Sequence, residues 1–153
     1  SELTWLSWQL AQWQIDLRDH VATLIRLRKA NAALRPARYD ELGRHVPGSS
    51  EMDWYDEHGE TMAGDRWRDP EHRTLQYFSA ETPATGKPHN RILLIVHGKE
   101  SPVEVTLPSV PGVTRFRSLW SSEEEAPLPA RSTFSAGDLV PLQGTAMHLF
   151  AAE

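Results

Sequence analysis

Apolar side chains recur at spacings of three and four from Leu10 through Trp13, Leu17, Val21 and Leu24 to Leu27, and after Pro36 that spacing gives way to alternation. The first pattern places these residues on one face of a helix. Ala11, Ile15, Ala22 and Ile25 widen the stripe beyond a narrow seam, so both sides of the helix are expected to touch protein. Ser7 is a plausible N-cap, its hydroxyl taking an orphan backbone N–H. Arg26, Arg28 and Lys29 favour the negative end of the helix dipole. Pro36 stops the helix and pushes Arg35 out of the α region. Residues 1–36 therefore read as a short extended lead-in and one long amphipathic helix. They carry three of the six tryptophans, Trp5, Trp8 and Trp13. A lone Trp-rich helix ahead of a β-region needs a surface to pack on.

Residues 37–50 read as a connector, with Pro47-Gly48-Ser49-Ser50 as its turn signal. From residue 51 to 153 the chain reads as short strands. Glu51–Met62 alternates and then carries Asp56-Glu57-His58-Gly59, which predicts a hairpin. Thr74–Ala80 is strand-like. Arg91–His97 (RILLIVH) is an almost unbroken apolar run, expected of a central strand covered on both faces. Val103–Leu107, Thr114–Trp120, Phe134, Leu139–Leu142 and Thr145–Phe150 follow, with turn residues between them. Strands recurring about every ten residues predict a mainly β fold. The expected architecture is an antiparallel β-sandwich of seven to eight strands, Greek-key type, preceded by one long N-terminal helix.

Composition narrows the partners. A chain of 153 residues is one domain, or one domain with an appendage. A formal net charge of −5 argues against nucleic acid or an anionic membrane as a partner. Cysteine is absent, which removes disulfides and thiolate chemistry and fits a reducing, cytoplasmic setting. No apolar run approaches the roughly 20 residues of a membrane span. The opening residues do not read as a signal peptide, and a start at Ser1 is expected of a processed or engineered fragment.

Catalytic patterns are weak throughout. Asp53, Asp56, Glu57 and Glu60 cluster at the predicted hairpin tip, where a solvated turn outweighs a catalytic carboxylate pair. The seven histidines are scattered singly, without metal-ligand spacing. His20, beside the apolar stripe, reads as a packed or hydrogen-bonded histidine. No nucleophile elbow, dinucleotide fingerprint or P-loop occurs. No catalytic residue, cofactor or metal is expected. Trp13 reads as core or interface. Trp54, Trp67 and Trp120 read as core or sheet-edge, although exposed rings also stack on sugar faces.

The wording of the chain goes further. ELTWLSW (Glu2–Trp8) leads into LIRLRKANAALRPARY (Leu24–Tyr39). This resembles the end of the catalytic barrel in the α-amylase superfamily, most of all in bacterial glycogen debranching enzymes related to isoamylase. In that family a W-x-x-W opening precedes the last barrel helix, which ends in L-I-x-L-R-K-x-x-x-A-L-R. Leu24, Ile25, Leu27, Arg28, Lys29, Ala33, Leu34 and Arg35 match in place. Trp54, Gly59, Met62 and Trp67 resemble the family phrase W-(turn)-G-x-x-M-x-x-x-x-W. ILLIVHGKESPVEVTLP resembles its sandwich strands, with His97 where Asn is common. Leu142–Phe150 resembles its terminal strand. Ser7 departs from the acidic residue often found before the second Trp.

The resemblance implies the C-terminal region of a glycoside hydrolase that cleaves α-1,6 branches of glycogen or limit dextrin with retention. Retention needs an acid and a nucleophile about 5–5.5 Å apart. Barrel enzymes place such groups at strand ends, and those strands would precede Ser1, so no catalytic residue carries over. Trp5 and Trp8 would sit on the rim of the cleft and are the substrate-binding candidates. The implied partners are the parent catalytic barrel and an α-glucan, with self-association through the exposed helix, and this chain alone is expected to be inactive. The alternatives are a free-standing glucan-binding β-sandwich module and a non-catalytic protein-interaction domain.

Overall fold

The computed structural model describes residues 8–35, 50–81, 90–123 and 132–153. One helix, α1 (Gln12–Ala30), is followed by eight strands among the described residues: β1 (Ser50–Tyr55), β2 (Thr74–Glu81), β3 (Asn90–His97), β4 (Val103–Thr106), β5 (Phe116–Ser121), β6 (Thr133–Phe134), β7 (Leu139–Leu142) and β8 (Ala146–Ala152). A six-stranded sheet runs β1-β2-β3-β8-β5-β6, and β4 pairs with β7 in a second sheet. All pairings are antiparallel. The last strand, β8, returns to lie between β3 and β5, a Greek-key type of closure. The chain is a mainly β, antiparallel sandwich preceded by one helix.

Alternation decides which side chains enter the sandwich. Phe78, Leu93, Ile95, Phe116 and Phe150 point inward from the large sheet and meet Val105, Leu107, Val140 and Leu142. Fully burying a side chain of this size contributes roughly 1.5–3 kcal/mol. The opposite, outer face carries a second cluster built on Ala33, Ile92 and Leu149. Ile92 and Leu93 are both fully buried although they point to opposite faces, so β3 is the doubly covered strand its apolar run predicts.

The helix is shorter than its sequence pattern. Ser7 lies outside the described residues, and α1 opens at Gln12 with the Ala11 N–H donating to Gln14 Oε1 at 2.8 Å. It closes at Ala30 rather than Arg35, because Asn31 takes an extended conformation and its side-chain amide donates to Leu27 O at 2.9 Å. A short 3-10 turn, Ala32–Leu34, follows. That turn, more than α1, is what docks on the outer face. Ala33 N–H donates to Asn90 Oδ1 at 2.8 Å, and Ser79 Oγ donates to Ala33 O at 3.0 Å.

The predicted hairpin within Glu51–Met62 reduces to a single Tyr55–Thr61 bridge. The partner of β1 is β2, in register Glu51↔Ala80, Asp53↔Phe78 and Tyr55↔Gln76. The connector expected at 37–50 lies outside the described residues except for Ser50, which opens β1.

Candidate functional site

Two surfaces stand out: the bare face of α1, and a cleft at the β1 edge of the large sheet. Along α1, Trp13 is 66% exposed and Leu17 57%, and Val21, Leu24 and Ile25 are exposed too. None of its 19 residues is buried. Leu27 is half-buried against the outer sheet cluster. Further up the helix, His20 Nε2 accepts the Trp120 indole N–H at 3.2 Å, with the rings edge-on at 5.4 Å. His20 is thus the hydrogen-bonded histidine expected from its place beside the stripe. A stripe of apolar side chains remains on the surface for about four helical turns.

Of the two substrate-binding candidates, Trp5 lies outside the described residues. Trp8 precedes α1 and is 86% exposed. Trp54 and Trp67 meet edge-to-face at 5.7 Å, and Trp54 also packs on Tyr77 at 4.8 Å. This aromatic group sits on the outer face, because Trp54 pairs with Tyr77 there, and Trp67 is half exposed.

The acidic residues after β1 are not the simple solvated turn expected. Asp56 is fully buried. Its Oδ1 accepts the backbone N–H groups of His58 and Glu60, each at 2.9 Å, and its other oxygen pairs with Arg66. The turn is buried because it docks on β4: Thr106 N–H donates to Glu57 O, and Gln76 Nε2 donates to both Asp56 O and Thr106 O. Gly59, at φ +78°, passes so close to Thr106 O that an added Cβ would lie 3.0 Å from it. Glu57 Oε2 lies 3.2 Å from His72 Nε2. The bonds to Thr106 and Gln76 tie the turn to the sandwich, while Asp56 Oδ1 closes the turn on itself.

Among the described residues no group of three or more His, Asp or Glu is arranged to hold a metal ion. His97 is buried with both ring nitrogens satisfied: Nε2 donates to Ser101 O, and Nδ1 meets Thr74 Oγ1, both at 2.8 Å. His148 Nε2 lies 2.8 Å from Ser118 Oγ, and the ring stacks on Phe150. Burial lowers the His148 pKa to about 4. A base this weak is poorly matched to activating a hydroxyl near neutral pH.

The cleft was not anticipated. It encloses about 310 Å³ on the inner face of the large sheet, between the first part of β1 and the turn after β4. Register assembles it. Glu51, Ala80 and Arg91 form one row across β1, β2 and β3, and Asp53 and Phe78 begin the next. The two-stranded sheet leaves Glu51 and Asp53 exposed, whereas Phe78 and Ala80 beside them are buried. Val110 and Pro111 form the facing wall. One Arg91 terminal N–H donates to Gly112 O at 2.8 Å, while its buried Nε has no hydrogen-bond partner among the described residues. Burial, and then the charge of Asp53, push the Tyr55 phenol above its usual pKa. Glu51 and Asp53 carried a sequence signal as carboxylates on one strand, but only strand pairing brings Arg91 to them.

No helix among the described residues is long and apolar enough to cross a membrane. No protein-family model matches this chain, and no curated protein matches its sequence.

Proposed function

We propose that this chain is the C-terminal region of a cytoplasmic glycogen debranching glycoside hydrolase, whose whole acts on α-1,6 branches of glycogen or limit dextrin. On this reading α1 is the last helix of a (β/α)8 barrel and residues 51–153 are the sandwich that packs against it. The observation that carries the proposal is the bare face of α1. Its apolar stripe is exposed from Trp13 to Ile25, yet its C-terminal end is anchored to the sandwich through Ala33. An anchored helix with an uncovered apolar face is what remains when a covering body is absent. The phrase Leu24–Arg35, which carries the family resemblance, lies in the same segment.

The sandwich then buttresses the barrel, and the chain alone hydrolyses nothing. The test compares this chain with the complete reading frame that contains it, assayed for reducing ends released from a branched limit dextrin. Release by the complete protein and none by this chain is expected. Turnover by this chain alone, or a complete reading frame without a barrel, overturns the proposal.

A further inference from the structure

We propose that His20 and Trp120 form a proton-operated latch: neutral His20 holds α1 on the outer face of the large sheet, and protonation of His20 frees the helix as far as its anchor at Ala33. The contact joins the middle of α1 to β5. Trp120 Nε1–H donates to His20 Nε2 at 3.2 Å, and the rings meet edge-on with centroids 5.4 Å apart and planes at 71°. An indole N–H only donates, so the bond requires a lone pair on His20 Nε2 and the proton on Nδ1. A protonated imidazole carries a donor at both nitrogens and leaves the indole without an acceptor. It then faces the positive edge of the indole rather than its π-face, so a cation–π contact does not replace the lost bond. With the latch closed, the stripe from Trp13 to Ile25 is presented at a fixed angle to the sandwich; with it open, the helix swings.

Little else holds this part of the helix. α1 has no buried residue, and the side chains of Gln12, Arg18, Thr23 and Arg26 bond within it. Leu27 makes its apolar contact about two turns further on. The next fixed point is Ala33, bonded to Asn90 and Ser79. The described charged groups around His20 do not oppose release. On α1, Asp16 lies one turn earlier and offers an imidazolium a carboxylate in place of the indole, while Asp19 is taken by Arg18. On β5, Arg117 is engaged by Glu153, and Glu123 beyond the strand accepts the Gln143 N–H. The outward positions of β8 are Met147, Leu149 and Ala151, and the turn Ala32–Leu34 carries no charge.

The experiment is ¹⁵N–¹H NMR of the whole chain at about pH 8 and about pH 5, the range over which histidine changes charge. It reads the protection of the Trp120 indole N–H and of the backbone amides of residues 21–26, each against its intrinsic exchange rate at that pH. Both should fall about fivefold at the lower pH, the loss of one hydrogen bond of ordinary net strength. His20→Gln, whose amide oxygen accepts the indole N–H in either buffer, should keep its protection. Trp120→Phe, which lacks the donor, should show low amide protection in both. The buried His148 lowers the stability of the sandwich over the same range in all three proteins, and Leu93 and Ile95 report that shared change. Three results each overturn the latch: α1 protection in the parent chain that is the same at both pH values, a fall in His20→Gln as large as in the parent chain, or a pH-dependent fall that survives in Trp120→Phe. Should Trp120→Phe fail to fold, the parent chain and His20→Gln decide by the first two.

Discussion

The Asp56 carboxylate holds two backbone N–H groups through Oδ1 and Arg66 through Oδ2, all from a fully buried position. Asp56→Ala removes every one of these partners at once. It should lower stability by about 3 kcal/mol, mostly from the two turn N–H groups left without an acceptor, because Arg66 is itself half exposed. Asp56→Asn keeps an oxygen for the two N–H groups and loses only the charge, so its urea midpoint should fall roughly half as far. Equal losses for both variants would mean that the Arg66 pairing, not the turn, is what matters. His148 makes a second prediction, in pH. Burial lowers its folded pKa from the ordinary 6.5 to about 4, so the unfolded chain binds the proton first as pH falls. Stability is therefore fully present above pH 6.5 and declines between there and about 4. The loss from this group is at most about 3 kcal/mol, taking one pKa unit as 1.36 kcal/mol. His148→Gln should flatten the urea-midpoint profile over that window relative to the parent chain, and an unchanged profile would remove His148 as the cause.

Among the elements, α1 separates helix formation from helix burial. Its side chains follow a helical period, but it meets the sandwich through Leu27 near its end and His20 near its middle, and none of its residues is buried. Replacing Trp13 and Leu17 by Ser should therefore change the unfolding midpoint of the sandwich by about 0.5 kcal/mol or less, as for surface positions. The same double variant should reduce self-association measured by light scattering, because it removes the two most exposed side chains of the α1 stripe. A large loss of stability would show that α1 is part of the sandwich core. The strands were legible wherever burial is one-sided or complete: β3 from RILLIVH, β4 from VEVT, β7 from LVPL. The end of α1 was not, because Asn31 turns extended, its backbone and side-chain N–H both closing on Leu27 O, where the apolar period still continues. The β1 pairing was not either. A local turn after Trp54 reads as a hairpin, while the actual partner, β2, starts at Thr74 and is chosen by packing across the sheet. The cleft shares that cause, since Arg91 reaches the row of Glu51 only through two successive registers.

At the scale of the whole molecule, order should fall off from β3 towards α1. β3 is paired on both sides, by β2 and β8, and its own Leu93 and Ile95 are fully buried. Such amides exchange with solvent only when the sandwich opens as a whole. α1 has no buried residue, and its 19 residues are only a little more than the roughly 12–15 below which isolated helices are marginal in water. It is held at one end by Ala33 and near its middle by the His20–Trp120 contact. The 3-10 turn should therefore protect as part of the sandwich, while the amides of α1 ahead of His20 open locally. In hydrogen exchange on this chain, residues 15–19 should exchange at least about a hundredfold faster than Leu93 and Ile95, a gap of about 2.7 kcal/mol. In the complete protein proposed here, a barrel covering the stripe from Trp13 to Ile25 should close most of that gap. If α1 in this chain is already as protected as β3, the helix belongs to the cooperative unit of the sandwich. Its bare face then no longer argues for a missing body, and the debranching proposal loses the observation that carries it.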